Sequence, residues 1–227
     1  MGKQMKIAPA IPLLILASLL AVAQNTPRRT ARRYVQGQTL ISDECPAAQL
    51  TFSAAYRYMG AQIVSLYGNA EAEQHLFVRG PKSGPVQSLY WVQFEHFLPT
   101  NRMTYEYENQ RPVDINGFPF TYDVKSFRDY AYMQNEDSRS DGAAISRLLA
   151  LHHLAFPAKA ARVRMVYLPT PDHRTELMII YAEAVAENSS VPFKSAKDEG
   201  VLLSDAAPQT ASELLASALA GLTLRKM

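Results

Sequence analysis

Between residues 50 and 123, apolar runs of strand length follow one another with only a few turn residues between them. This spacing constrains the fold more than any other feature of the chain. A parallel strand pair needs a crossover of a dozen residues or more, so segments joined this tightly pair antiparallel. Two candidate strands, "LTFSAAYRYM" at 50–59 and "AQIVSLY" at 61–67, flank Gly60, and "EQHLFVR" occupies 73–79. "GPKSGP" at 80–85 is turn chemistry. The long run "VQSLYWVQFEHFL" at 86–98 ends at Pro99. Shorter strands are expected at 105–108, 112–116 and 118–123. Asn116-Gly117 separates the last two; both residues tolerate the positive φ of a type I′ hairpin turn.

The period then changes. Ser138 and Asp141 have capping-box spacing, and Ile145, Leu148, Leu149 and His152 recur on one face of a helix that Pro157 stops. Strands at 162–168 and 175–185 follow, joined by "PTPDHR". Residues 186–208 read as a linker or surface loop. Thr210 and Glu213 open a closing helix at 210–222, with Leu214, Leu215, Ala218, Leu219 and Leu222 at helical spacing. The order implies an α+β domain over 49–222. Its core is a curved, mainly antiparallel sheet of about seven to nine strands, with two helices on one face or end.

The amino terminus bears on location. Lys3 and Lys6 precede the uncharged run "IAPAIPLLILASLLAVA", and Ala21-Val22-Ala23 offers small side chains for cleavage, so 1–23 is expected to be a removable secretory leader. The run is short of the roughly 20 clean residues that span a bilayer, and Pro9 and Pro12 interrupt it. Export to the periplasm or the extracellular space follows, with no membrane span after cleavage. Residues 24–48 are polar and read as a mobile entry segment. Beyond the leader the chain holds 21 basic and 21 acidic residues, which argues against the basic face of a nucleic-acid binder. Cys45 is the single cysteine, so no internal disulfide and no cysteine-based metal knuckle can form.

Side chains alternate across a strand. In the 86–98 run, Tyr90, Val92, Phe94 and His96 point one way and are the better match for a helix-covered face. Trp91, Gln93 and Glu95 point the other way and resemble a half-dry groove with apolar walls and a few fixed polar groups. Tyr105 and Tyr107 share one face of a neighbouring short strand and extend that groove. The same polar groups also suit an ordinary sheet, with Gln93 or Glu95 meeting a loop amide or pairing with Arg162 or Arg164.

Other chemistry finds little support. His75, His96, His152, His153 and His173 show no metal-ligand spacing, and neither a G-x-S-x-G elbow nor a dinucleotide or phosphate-loop motif is present. No cofactor is expected. Glu95 and His96 adjoin in sequence but face opposite sides of a strand. The favoured function is an exported, non-enzymatic domain binding a small apolar or aromatic molecule at Trp91, Gln93, Glu95, Tyr105 and Tyr107. Two alternatives stand beside it: a hydrolase-like enzyme using Glu95 as acid or base, and an interaction module using the stripe of the 210–222 helix.

Overall fold

The computed structural model describes residues 31–107, 110–193 and 200–227; the leader at 1–23 lies outside them. In chain order the strands before the first helix are β1 (Tyr34–Gln36), β2 (Thr39–Ser42), β3 (Ala48–Phe52), β4 (Arg57–Leu66), β5 (Ala70–Arg79), β6 (Gly84–Pro85), β7 (Ser88–Phe97), β8 (Arg111–Ile115) and β9 (Phe118–Phe127). The remainder comprises α1 (Tyr130–Met133), α2 (Asp141–Leu151), β10 (Leu154–Ala155), β11 (Ala160–Tyr167), β12 (Thr175–Ala184), β13 (Val201–Leu202), α3 (Leu203–Ala206), α4 (Pro208–Ala220) and β14 (Leu222–Lys226).

The antiparallel α+β architecture implied by the turn spacing is the one observed. An open eight-stranded sheet runs β13-β9-β11-β12-β7-β5-β4, with β8 pairing β9 beside β13. A second sheet, β1-β2-β3-β14, packs on one of its faces. The Asn116-Gly117 hairpin forms with both φ angles positive, at 54° and 83°, and the Gly117 amide donates to Asp114 Oδ1 at 2.8 Å. Gly60 does not separate two strands. It sits at a bulge between Tyr58 and Gly60, with φ +114°, and β4 continues through it, because a bulge absorbs one extra residue without ending the ladder.

Both faces of the large sheet are covered, α4 lying on one and α2 on the other. On one face Phe77, Tyr90, Val92 and Phe94 form a core with Leu50 and Phe52 of the small sheet and with Ala211, Leu214 and Ala218 of α4. Phe52 stacks on Phe77 with ring centroids 3.9 Å apart. Tyr90 is fully buried and donates its hydroxyl to the Ala218 carbonyl at 2.6 Å, satisfying one of the orphan carbonyls of the last helical turn. On the other face Leu76, Trp91 and Ile180 pack with Ile145, Leu148 and Leu149 of α2.

Several boundaries move. The entry segment is built into the fold from Ala31 onward: β1 and β2 form a hairpin, and Leu40 is fully buried. Its polar composition hid two short strands, the second of which buries Leu40 and Ile41. The 186–208 stretch contains β13 and α3. The chain closes not on a helix but on β14, which pairs antiparallel with β3. Ser140, not Ser138, caps α2, accepting from the Ala143 amide at 3.1 Å. α4 starts at Pro208, whose fixed φ suits a first helical position, so Thr210 lies inside the helix. Among the described residues no helix is long and apolar enough to cross a membrane.

Candidate functional site

Strand register builds the site. On the α2 face, Gln62 of β4, Gln74 of β5 and Gln93 of β7 lie in one lateral row, and Met178 of β12 continues it. The next row toward the sheet end holds Ala72, Glu95 and Glu176. The three glutamines are bonded in series. Gln62 Nε2 donates to Gln74 Oε1 at 2.8 Å, Gln74 Nε2 to Gln93 Oε1 at 2.7 Å, and Gln93 Nε2 to Glu95 Oε2 at 2.6 Å. Two of them also reach the first turn of α2, with Gln62 donating to Ala144 O at 2.8 Å and Gln74 to Asp141 O at 3.2 Å.

Trp91 sets the direction of this row. Its Nε1–H donates to Gln93 Oε1 at 3.1 Å, and an indole N–H is a donor only. Gln93 must therefore turn its oxygen toward Trp91 and Gln74, and its amide nitrogen toward Glu95. The expected role of Trp91 as a groove wall is not what the structure shows. The indole is 2 % exposed and lies under α2 with Ile145, Leu148 and Leu149, because α2 covers the face that the alternation left open.

The other four predicted residues do meet. Tyr105 donates its hydroxyl to Glu95 Oε1 at 2.8 Å, and Tyr107 donates to Glu176 Oε2. The two tyrosines belong to no strand, contrary to expectation, and Glu108 lies outside the described residues. Their stretch is held by other means. The Tyr105 amide donates to His173 O at 2.8 Å, and Arg174 donates to Met103 O and Leu98 O, both at 3.0 Å. Residues two apart in extended chain face the same side, so both hydroxyls reach the carboxylates without a ladder. Tyr105 also stacks on Phe97, with centroids 4.3 Å apart.

These groups line a cleft of about 300 Å³ bounded by Leu66, Phe97, Met103, Met178, Tyr105 and Tyr107, with Glu95, Glu176, Asp141 and Arg164 around it. Arg164 and Arg162 both pair with Asp123, and among the described residues Glu95 has no arginine in salt-bridge contact. Burial pushes the Glu95 carboxyl up to about 7; the charge of Asp141 adds to this, and the hydrogen bonds from Tyr105 and Gln93 oppose it. Glu176 rises to about 8, through burial first and the charge of Glu95 second, offset by Tyr107 and Arg164. Burial also raises Asp141. The wiring divides the pair unequally. Glu95 accepts a donor on each oxygen, whereas Glu176 accepts one. Donors favour the charged form, so of the two Glu95 is the better held as a carboxylate.

Sequence reasoning missed Glu176, Asp141, Gln74 and Gln62. Period-two alternation in "TELMIIYAEAV" puts Glu176 on the face of Met178 and Ile180, but nothing local reports that it registers with Glu95. It missed as well a second buried polar cluster on the opposite face. Arg33 lies 3.7 Å over the Phe94 ring and bonds Glu73 Oε2 at 3.2 Å, His75 Nε2 meets Glu73 Oε1 at 2.8 Å, and the Tyr58 hydroxyl meets His75 Nδ1 at 3.1 Å. Burial disfavours charge on Glu73. The bonds from His75 and from the Arg33 and Arg32 amides, with the Arg33 guanidinium, outweigh it and hold the carboxyl at about 2. Fully paired in this way, the cluster has the character of a structural tie between the entry segment and β5.

No family model, curated protein or solved structure matches the chain.

Proposed function

We propose that the chain is an exported, non-enzymatic domain that binds a small molecule in the Glu95–Glu176 cleft. The single observation that carries this reading is the composition of the cleft: apolar and aromatic side chains on one side, and a few fixed polar groups converging from β7, β12 and α2 on the other. That combination is characteristic of small-ligand sites, and the volume suits a small ligand. The contacts now assigned are Glu95, Glu176, Tyr105, Tyr107, Phe97 and Met103, with Gln93 and Trp91 behind them as positioning residues. Export rests on the leader at 1–23 alone.

A melting-temperature screen of the full-length protein tests the reading, since a ligand bound by the folded state alone raises the midpoint with concentration. Met103 is 58 % exposed on the cleft wall, so Met103→Trp should narrow the cleft and suppress the shift without disturbing the core. Shifts that persist unchanged in that variant would move the site elsewhere. A second reading, acid–base catalysis, is supported by the paired carboxylates, which hold and release a proton near neutrality as general acids do. It predicts turnover of chromogenic glycosides or esters that disappears in Glu95→Gln; silence across both substrate classes removes it. The interaction-module alternative has less to stand on, because the α4 stripe is buried in the domain's own core.

A further inference from the structure

We infer that the chain forms a two-fold dimer through the free edge of β4. Gly60–Leu66 of one copy pairs antiparallel with the same residues of a second, and the two large sheets join into one. β4 ends the large sheet: among the described residues it pairs with β5 alone. An unpaired edge is a template for another strand, and natural sheets blunt it with short strands, prolines, charges or bulges.

The other rims of this molecule carry those devices. At the opposite rim, β9 is flanked by β8, which holds Arg111, Pro112 and Asp114 within five residues, and by β13, which has two. The small sheet ends on β1, three residues long, and on β14, which finishes with Arg225 and Lys226. β4 differs. It is ten residues long, and from Tyr58 to Leu66 it holds no proline and no charge. Its one device, the bulge between Tyr58 and Gly60, lies at the entry end and leaves Gly60–Leu66 in unbroken register with β5. Every residue from Tyr58 to Val64 is only half-buried, so the strand has surface left to cover.

Two features name a second copy as the occupant. The first is symmetry. Directly opposed residues of paired strands lie on the same face, so β4 meets itself only in registers that oppose residues an even number apart. The regular stretch is centred on Ile63, which then meets its own counterpart, with Gln62 opposite Val64, Ala61 opposite Ser65 and Gly60 opposite Leu66. No charge meets a charge along that line. The second feature is the pair of flanks. A specific dimer buries roughly 1,200 Å² or more in all, and a cleft borders β4 on each face for a second copy to close. One, of about 200 Å³, is lined by Ile63 with Arg32 and Glu44; the other, of about 240 Å³, by Val64 and Leu66 with Ser140 and Arg139. The charges beside them are mixed. Arg32 pairs with Glu44 and Glu71, and Arg139 with Asp137, so no field of one sign holds two copies apart.

Sedimentation velocity of the full-length protein over a concentration series tests this, with Ile63→Lys beside the parent. The parent should sediment as a dimer at the upper concentrations and dissociate on dilution. In Ile63→Lys the two-fold sets two ammonium groups directly opposite one another, so the dimer should weaken at least roughly tenfold while the far-ultraviolet circular dichroism stays that of the parent. Ile63→Cys combined with Cys45→Ser keeps the test open if the lysine variant fails to fold: a short bismaleimide should join two copies through the self-opposed thiols. Tyr132→Cys with Cys45→Ser, placing its thiol at a site 67 % exposed on α1, should cross-link no more than chance collision allows. A monomer at every concentration, or a dimer that Ile63→Lys leaves intact and Ile63→Cys does not cross-link, would overturn the inference.

Discussion

Glu95 and Glu176 stand directly opposite one another on adjacent antiparallel strands, and both are buried. Like charges placed face to face in a sheet destabilise it. The fold holds them there at a cost that protonation relieves.

Stability should therefore fall as pH rises through neutrality. In the unfolded chain both carboxyls release their protons near ~4.3, whereas in the folded protein they hold them up to about 7 and about 8. The folded state binds more protons in between, so the stabilisation from this pair is complete below the unfolded value and is lost as pH climbs through the folded ones. Glu73, held at about 2, acts in the opposite sense: its contribution is present above the unfolded value and disappears as pH falls toward 2. Urea denaturation across the pH range should give a maximum on the mildly acidic side of neutrality. A flat profile between the unfolded carboxyl value and pH 8 would contradict the burial of the pair.

Glu176→Gln should flatten the neutral-to-alkaline limb of that profile and raise stability at alkaline pH by roughly 1 kcal/mol, the scale of a like-charge cross-strand pair. Equilibrium denaturation of the variant beside the parent checks this. A loss of stability in its place would mean that Glu176 is held by partners outside the interactions described.

Removing one partner of the Arg33–Glu73 pair should be severe. Glu73→Ala strands a guanidinium that is 7 % exposed, for an expected loss of ~3–5 kcal/mol. Replacing Arg33 and Glu73 together with apolar side chains should recover much of it. Equal losses in the single and double variants would show that the pair contributes through its own attraction and not merely by satisfying itself.

At the junction of α4 and β14 the packing leaves no room for a methyl group. A Cβ on Gly221 would lie 2.3 Å from the Tyr90 hydroxyl, the atom that binds the Ala218 carbonyl. Gly221→Ala should cost ~1–3 kcal/mol by overpacking. Tyr90→Phe should cost about 1 kcal/mol by leaving that carbonyl unpaired. Combined, the two should cost less than their sum, because the second removes the atom with which the first collides; a double-mutant cycle measures the difference.

Trp91→Phe should keep the packing under α2 and remove one of the two donors, with Gln74, that fix which way Gln93 faces. Gln93 can then turn its oxygen toward Glu95, and the Glu95 carboxyl should titrate higher still, which carboxyl-carbon NMR would register. An unchanged Glu95 titration would mean that Gln74 alone fixes the amide.

The strands were legible because their signals are local. The Asn116-Gly117 turn, the stop at Pro99 and the period-two runs through β7, β11 and β12 need no knowledge of distant chain. The entry strands were not, because β1 and β2 are three and four residues long and carry too few apolar positions to show a period. The site was half legible. Alternation correctly grouped Gln93 with Glu95, and Tyr105 with Tyr107, but it could not say that a helix would cover Trp91 while leaving Glu95 at a cleft. Register is a property of pairs of strands, and Glu176, 81 positions beyond Glu95, enters the site only through it.

The donor-only indole has one more effect. Because the Trp91 indole only donates and the Asp141 and Ala144 carbonyls only accept, Gln93, Gln74 and Gln62 have each lost the freedom to turn over, and the outermost strand and the first turn of α2 are both attached to that line. Whatever comes to rest against Glu95 therefore bears on a string of amides that ends two strands away, at the rim of the sheet.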